Sequence, residues 1–371
     1  MKNPLPENIY LKRTHPRQSD IRGCYFRDQT AIIHSTPFRR LKNKTQVFFA
    51  PENDHICTRI EHVLHVATIA RSICKGLIVN GWELDSDMAY AIGLGHDLGH
   101  TPFGHAGEAA LNKRLGGNNA FVHEINSYRQ VEYLANNGQG LNLTYGVKDG
   151  IICHNGETDE QKLKPADKPN VLDNIKNRKV KPSSFEGCIM RFSDKIAYLG
   201  RDIEDAFVAG FITEKDIPEN VKKVLGNRNG QIINTLILDV IEHSKNKDYI
   251  GFSDEKFELV TQLKKFNYEK IYNHPTLINY DKFCDKIINN LFDYLLELYQ
   301  KNGKNYNDYK NTNIILDKAF SEYLLSMKDF YVGKQNNPDI FITDYISGMT
   351  DIFALQAIKQ ITIPESISFF R

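Results

Sequence analysis

The chain has 371 residues and a formal charge of +1, from 47 basic and 46 acidic side chains. This length allows two domains or one large helical domain, and 41% hydrophobic with 25% charged residues excludes wholesale disorder. The near-neutral charge argues against a globally basic nucleic-acid binder but leaves room for a local basic patch. No stretch approaches the roughly 20 apolar residues of a membrane span, and no signal peptide is recognisable, so we expect a cytoplasmic protein without membrane segments.

Six cysteines are scattered along the chain and form no CxxC pair: Cys24, Cys57, Cys74, Cys153, Cys188 and Cys284. In the absence of an export signal, this favours reduced thiols that act as small buried hydrophobic residues. The same scatter disfavours a zinc–thiolate centre. The sequence also lacks the GxxxxGK[ST] pattern, which disfavours a P-loop nucleotide hydrolase.

The predicted elements begin with a polar N-terminal arm over residues 1–20. A basic cluster over residues 39–44 is interpreted as a solvated helix end. Apolar residues at three- and four-residue spacing then predict a long helix from Arg59 to Gly81. A second helix is predicted from an Asp85 N-cap to the glycine-rich segment GHDLGHTPFGH, and further helices are predicted over 106–115 and 123–136.

Residues 155–184 differ from their surroundings, because they are polar, contain three prolines, show no periodicity and carry an excess of basic side chains. They predict a long mobile loop, which is either a solvated surface excursion or a lid or effector loop that meets phosphates. A helix is predicted over 186–207. The core is assigned to residues 21–214, and residues 215–371 are predicted to form a helical C-terminal extension packed on it. The predicted fold class is all-α.

Histidines are concentrated in one part of the chain, at residues 55, 62, 65, 96, 100, 105, 123 and 154. Buried imidazoles need polar partners, so this crowding around a glycine-broken helix end predicts a functional cluster. The adjacent pair His96 and Asp97 would point about 100° apart on a helix and could share an ion over their common edge. With His62 and Asp194 from other predicted helices, the pair forms a His₂Asp₂ set suited to Mn²⁺, Fe²⁺, Co²⁺ or Mg²⁺.

Several longer segments then carry a resemblance. They are DQTAIIHSTPFRRLKNKTQVFF, TRIEHVLHVATIARSI, AIGLGHDLGHTPFGHAGE, GLNLTYGVKDGII, RFSDKIAYLGRDIEDA and DYISGMTDIFAL. The H…HD…D pattern resembles the HD-domain metal-dependent phosphohydrolases. The full set resembles the deoxynucleoside triphosphate triphosphohydrolases, the dGTPase-like family, in order over about residues 20–210 and again near 343–356.

This resemblance implies an HD-domain helical core with one divalent metal ion per active site. The implied metal ligands are His62, His96, Asp97 and Asp194. The implied catalytic residues are His105 with its carboxylate partner Glu108, together with His100 and His123. The implied substrate-binding residues are Arg59, Lys195, Tyr198 and Asp202. Independently, Asp194, Tyr198 and Asp202 are spaced four residues apart and would line one helix face over about 12 Å.

The resemblance also implies an activity, namely hydrolysis of dGTP-like deoxynucleoside triphosphates to deoxynucleoside and inorganic triphosphate by water attack at the α-phosphorus. It implies a dNTP substrate and a homo-oligomer, with a hexamer favoured, and it leaves open whether a dNTP also acts as an effector. One alternative is another HD phosphohydrolase that acts on nucleoside monophosphates, cyclic nucleotides or ppGpp. A second alternative is a regulator that binds nucleotides or single-stranded DNA through residues 39–44 and 155–184.

Some positions depart from the family pattern. Lys42 stands where many members carry Gln, Ile352 stands where a polar residue is common, and FVHEINSYR replaces a segment usually written FEHNEQSLR. The loop 155–184 is also longer than expected. These departures bear on the choice of substrate and effector more than on the chemistry.

Overall fold

The computed structural model describes residues 1–18, 20–48, 55–156, 158–333 and 337–363. The helices of the first part are α1 (Glu7–Tyr10), α2 (Cys24–Ile33), α3 (Thr36–Arg40), α4 (Arg59–Val79), α5 (Ser86–Gly95), α6 (Gly104–Arg114), α7 (His123–Arg129), α8 (Ala135–Gly138), α9 (Tyr145–Ile152) and α10 (Phe185–Val208). They are followed by α11 (Glu219–Leu225), α12 (Asn229–Ser244), α13 (Asp254–Asn267), α14 (Pro275–Asn302), α15 (Ile315–Ser326), α16 (Pro338–Ser347) and α17 (Asp351–Thr362). The all-α fold class is therefore confirmed.

The helices that build the site have clear local start signals. Thr58 and Glu61 form a capping box at the start of α4, the side chain of Asp85 accepts two backbone N–H bonds at the start of α5, and Ser184 caps α10. The predicted bounds of these helices agree with the observed ones to within a few residues. The helix predicted over 123–136 is an exception, because α7 ends at Arg129 and a π-helical turn follows it.

Close packing between α4 and α5 sets the geometry of the core. A Cβ atom on Gly93 of α5 would lie 2.5 Å from the Cα atom of Ala67 of α4, so the two backbones approach more closely than a side chain would allow. Apolar residues from both helices, among them Val66, Ile73 and Ile92, are fully buried in the same hydrophobic cluster as α10. The three helices that carry the HD pair and its partners are thereby held rigidly together.

Residues 155–156 and 158–184 are largely irregular, as the sequence predicts, but several of their side chains pack on the core, and their mobility stays a prediction. Strand β1 (Lys162–Leu163) pairs antiparallel with β2 (Ile250–Gly251), and these two strands form the small sheet of the described chain. Leu163, Leu172 and Ile175 are buried as apolar anchors. So few apolar anchors in an otherwise polar segment create no sustained periodicity, and the sequence pattern therefore did not reveal the packing.

The hydrophobic core divides into two main clusters. The first runs from Tyr10 to Leu277 and includes α11 to α13, while the second joins α14 to α17 with Phe103, Ala110 and Leu111 around α6. The C-terminal helices therefore pack directly on α6, the helix that follows the His96–Asp97 pair. Since residues 217–277 belong to the first cluster, packing does not change at residue 214, and the boundary proposed there stays a prediction.

Helix α4 has the length and composition of a membrane span, with a mean hydropathy of 1.3 over an 18-residue window. The expectation that no stretch approaches such a span was wrong by this measure. Half of that window is buried inside the fold, as is usual for a core helix, and one such helix in the described chain is weak support for a membrane segment.

Candidate active site

The HD pair lies in a tight turn between α5 and α6. His96 caps the C-terminus of α5, and the turn ends at Phe103, whose φ of 66° is left-handed. A Cβ atom at Gly99 would lie 2.1 Å from the backbone nitrogen of Ser127, so the approach to α7 requires glycine at this position. The turn is fixed against α7, and this holds the side chains of His96 and Asp97 in place.

The four predicted metal ligands converge from three separate stretches of the chain. The distance from His62 Nε2 to Asp194 Oδ1 is 3.2 Å, and the distance from His96 Nε2 to Asp97 Oδ1 is 3.3 Å. His62 Nε2 lies 3.8 Å from Asp97 Oδ2, and His96 Nε2 lies 3.9 Å from Asp194 Oδ1. Because metal–ligand bonds are about 2.0–2.2 Å long, donor atoms at such separations can share one ion.

The hydrogen bonds of His96 show that the cluster suits a cation. Its Nδ1 lies 2.8 Å from the carbonyl oxygen of Gly93, and since a carbonyl only accepts, Nδ1 carries the proton. The buried Nε2 then presents a lone pair, and it has no hydrogen-bond partner among the described residues. Burial also lowers the pKa of His96, which keeps the ring neutral. A neutral imidazole aimed between carboxylates is suited to hold a divalent metal.

Asp97 is held in its charged form. Burial by itself would raise the pKa of Asp97, but the neighbouring His96, His100 and Arg59 keep that pKa well below its usual range. Arg59 Nη1 donates to Asp97 Oδ2, and Arg59 is only 1% exposed, while its Nε donates to the carbonyl oxygen of Thr45. Arg59 therefore fixes the carboxylate at the wall of the cavity.

Glu108 of α6 lies at the centre of a second group of side chains. Its Oε2 lies 3.3 Å from His105 Nδ1 and 2.8 Å from His123 Nδ1, and Arg178 Nη2 donates to its Oε1 at 2.6 Å. Burial would lower the pKa of His123, but the carboxylates of Glu108 and Glu124 raise it to about 9. His105 is half-exposed and His123 is buried, so Glu108 orients one exposed and one buried imidazole.

A cavity of about 370 Å³ opens over both groups. This volume lies within the usual range of small-molecule sites, about 300–1,000 Å³. Of the predicted site residues, His96, Glu108 and Lys195 stand outside its lining, and the others contribute to it. His100 lies between the two groups, because its ring stacks on that of His123 with centroids 3.8 Å apart and its Nε2 is 3.3 Å from Asp97 Oδ1.

Tyr198 and Asp202 line the cavity beyond Asp194, on the helix face that their spacing predicts. Tyr272 donates its hydroxyl hydrogen to Asp202 Oδ2. Burial raises the pKa of Asp202 to about 7, although the hydrogen bond from Tyr272 acts in the opposite direction. This end of the cavity therefore offers a carboxyl group that titrates near neutral pH.

Lys195 does not face the cavity. Its Nζ donates to the carbonyl oxygen of Thr158 at 2.6 Å, and its side chain is buried. Lys195 therefore holds the segment that follows α9. Because it does not line the cavity, the geometry does not support a direct contact between Lys195 and a phosphate. Lys42 is exposed and outside the lining, whereas Gln46 is part of it.

Three residues of the site were missed by the sequence analysis. His154 approaches His123 with an Nε2–Nε2 distance of 3.2 Å, Arg178 binds Glu108, and Tyr272 binds Asp202. His154 belonged to the histidine-rich window and could have been found there. Arg178 was counted only among the basic residues of segment 155–184 and Tyr272 carried no local signal, since the partners of both come from distant parts of the chain.

Comparison with known protein families gives the class to which the chain belongs. A profile of the HD domain matches residues 59–199, which contain the proposed metal ligands, and a profile of the phosphohydrolase-associated domain matches residues 250–360. The chain is therefore an HD-domain protein of the hydrolase class, and the combination of helical fold and His/Asp cluster agrees with that assignment.

Comparison with individual relatives narrows this class to a family. The chain is 39% identical over 345 residues to a deoxyguanosinetriphosphate triphosphohydrolase-like protein of Caldanaerobacter subterraneus, covering 93% of this chain and 86% of the relative. Proteins of the same description from Desulfatibacillum aliphaticivorans and Clostridium tetani are 35% and 33% identical, covering 93% and 98% of this chain and 89% and 94% of theirs. The chain belongs to this deoxyguanosinetriphosphate triphosphohydrolase-like family.

Proposed function

We propose that the protein hydrolyses a deoxynucleoside triphosphate to the deoxynucleoside and inorganic triphosphate by water attack at the α-phosphorus. The observation that carries this proposal is the convergence of His62, His96, Asp97 and Asp194 beside the His105–Glu108 pair, at one end of a nucleotide-sized cavity. The names of the relatives support the substrate class.

The His₂Asp₂ set would hold the divalent ion, which when bound supplies Lewis-acid polarisation of a phosphoryl oxygen and acidifies a water. The protein's own groups then act on the substrate. His105 lines the cavity, and its hydrogen bond to Glu108 fixes the ring for transfer of a proton to or from the attacking water or the leaving 5′ oxygen. Arg59 places a buried positive charge beside the triphosphate.

The opposite end of the cavity would recognise the sugar. Tyr198 is positioned to pack against the deoxyribose, where a 2′ hydroxyl would be crowded. Asp202 is positioned to accept a hydrogen bond from the 3′ hydroxyl group, with Tyr272 holding the carboxylate from the other side. A ribonucleotide would then bind less well than its deoxy counterpart.

Product analysis tests this function most directly. The purified protein with Mn²⁺ is incubated with each of the four dNTPs, singly and in pairs, and products are separated by ion-exchange chromatography. We expect equal amounts of deoxynucleoside and inorganic triphosphate. Release of pyrophosphate or orthophosphate would refute the proposal, and turnover only of nucleoside monophosphates, cyclic nucleotides or ppGpp would support another HD phosphohydrolase.

The preferred dNTP, an effector, DNA binding, a hexamer and a cytoplasmic location stay predictions.

A further inference from the structure

One face of α7 contacts the turn that follows the His96–Asp97 pair. His123, Asn126 and Ser127 occupy positions i, i+3 and i+4 of this helix, so their side chains point to the same side. All three residues are buried, with at most 5% of any of them exposed. Their segment, FVHEINSYR, is one of the departures from the family pattern, and Asn126 and Ser127 have no part in the proposed chemistry.

Two of these side chains hold the peptide groups of Gly99. The N–H of Gly99 donates to Ser127 Oγ at 2.9 Å, and Asn126 Nδ2 donates to the carbonyl oxygen of Gly99 at 2.7 Å. Gly99 is buried and lies between the end of α5 at Gly95 and the start of α6 at Gly104, outside the hydrogen-bond ladders of both helices. Buried peptide groups need partners, and here two adjacent side chains of one helix provide them.

Of the four proposed metal ligands, Asp97 is the one that lies beyond the end of a helix. His62 lies within α4, Asp194 lies within α10, and His96 caps the C-terminus of α5. Arg59 holds the carboxylate of Asp97, but the backbone of Asp97 belongs to the turn. The position of this ligand therefore depends on what holds the turn, and α7 holds the turn two residues after it.

The same face of α7 also contacts the side chain that follows Gly99. The ring of His100 stacks on the ring of His123 with centroids 3.8 Å apart and planes inclined by 23°, and His100 Nε2 lies 3.3 Å from Asp97 Oδ1. His123 Nδ1 lies 2.8 Å from Glu108 Oε2. Helix α7 therefore holds the turn by its backbone and by a ring, and it connects the metal ligands with the group around Glu108.

We infer that Asn126 and Ser127 are positioning residues, which hold the Gly99 peptide and thereby set the place of Asp97 within the His₂Asp₂ set. Neither side chain lines the cavity, so both act through the turn. Removal of partners that orient metal ligands commonly costs about 10- to 100-fold in metal affinity or activity. The effect on metal binding does not depend on which phosphate ester is cleaved, whereas the effect on kcat rests on the proposed function.

The test variant is Asn126→Leu, which has nearly the size of asparagine but no N–H donor for the Gly99 carbonyl. Asn126→Gln is the conservative variant, because it keeps an amide donor and glutamine stands at this position in the segment FEHNEQSLR. The matched control is Gln29→Met, which removes another buried amide, one that donates to the carbonyl oxygen of Asp87 at 2.9 Å in the first turn of α5. Circular dichroism and melting temperature establish that the variants are folded.

Each full-length protein is titrated with Co²⁺, whose visible absorption reports the geometry of its ligands, and kcat and KM are then measured with a dNTP. Wild type, Asn126→Gln and Gln29→Met should share one spectrum and one Co²⁺ affinity, although Gln29→Met should melt at a lower temperature. Asn126→Leu should bind Co²⁺ about 10- to 100-fold more weakly, with a changed spectrum. Its kcat should fall while its KM changes little, because Asn126 does not line the cavity.

A wild-type spectrum and affinity in Asn126→Leu would overturn the positioning role. The same loss of Co²⁺ binding in Gln29→Met or in Asn126→Gln would also overturn it, because general stability or a factor other than the amide donor would then be responsible. If Asn126→Leu does not fold, a crystal structure of the metal-loaded wild type decides, since both hydrogen bonds to Gly99 must be present with Asp97 bonded to the ion. Metal binding is read without substrate, so a wild type that binds Co²⁺ but hydrolyses no dNTP would refute only the proposed function.

Discussion

At the scale of single residues, the site contains buried groups with a fixed protonation state and an exposed group that can exchange a proton. His96 is buried and neutral, and the neighbouring His96, His100 and Arg59 side chains keep the pKa of Asp97 low, so that its carboxylate is ionised. His105 differs from both, because its side chain is 51% exposed and faces the cavity with Glu108 behind it. Of these residues, His105 is therefore the one placed to reach a substrate oxygen while its orientation remains fixed.

Replacing His105 with alanine should lower kcat by at least about 100-fold, the usual scale of general acid–base catalysis. The metal content should be unchanged, because His105 is not one of the four proposed metal ligands. Steady-state kinetics with parallel metal analysis measures both. Glu108→Gln tests the positioning role of Glu108. The His105 ring is less well oriented in this variant, so its kcat should lie between those of wild type and His105→Ala, and its pH profile should be shifted. Full activity of His105→Ala would remove the residue from the mechanism.

Asp202 gives a prediction for pH dependence. Its pKa is about 7 in the folded protein because of burial, against 3.8 for an ordinary Asp, so the folded state binds the proton more tightly than the unfolded state. The contribution of Asp202 to stability should therefore fall as pH rises from about 4 to about 7 and then level off. Asp202→Asn removes this dependence, so its melting temperature relative to wild type should rise across that window. Thermal unfolding at several pH values measures the difference, and a constant difference would contradict the shifted pKa.

At the scale of elements, the sequence was most informative where apolar periodicity and a cap coincide. The pattern and the Asp85 cap located α4 and α5, and the four-residue spacing on α10 correctly placed Asp194, Tyr198 and Asp202 on one face. It did not show that residues 155–156 and 158–184 pack on the core, because isolated anchors and a two-residue strand leave no periodicity there. It also could not show that Lys195 turns away from the cavity, because its neighbours on other elements decide the direction of its side chain.

Arg178 shows what the segment 155–184 contributes to the site. Its guanidinium binds Glu108 Oε1 at 2.6 Å and Glu124 Oε1 at 2.9 Å, and both carboxylates are buried. Arg178→Ala should reduce kcat on the order of 10-fold, the lower end of the effects seen for groups that orient ligands and catalytic residues. The neighbouring exposed residue provides the matched control, and Lys179→Ala should behave as wild type. Equal kcat values for the two variants would limit the segment to a structural role.

At the scale of the whole molecule, the C-terminal helices reach the HD turn through Asp351 at the start of α17. Its Oδ1 accepts the backbone N–H of Phe103 at 2.8 Å, and its Oδ2 accepts that of Thr45 at 2.8 Å. Phe103 immediately precedes α6, which carries His105. Lys44, buried beside this contact, donates to the carbonyl oxygens of His100 and Ser347. The second hydrophobic cluster is thereby tied to the backbone that positions the catalytic histidine.

Asp351→Asn should therefore impair catalysis from outside the cavity. The amide keeps a single acceptor oxygen, so one of the two backbone N–H donors is left without an acceptor, which costs about 1–3 kcal/mol of stability. The loosened turn should also lower kcat about 10- to 100-fold with metal content retained, since displacement of a catalytic group by about 1 Å has effects of that size. Asp317→Asn is the matched control, because Asp317 is equally buried and accepts from Tyr294 and Thr312 within the C-terminal helices. It should lose stability without losing turnover, and equal turnover in the two variants would show that Asp351 acts only on folding.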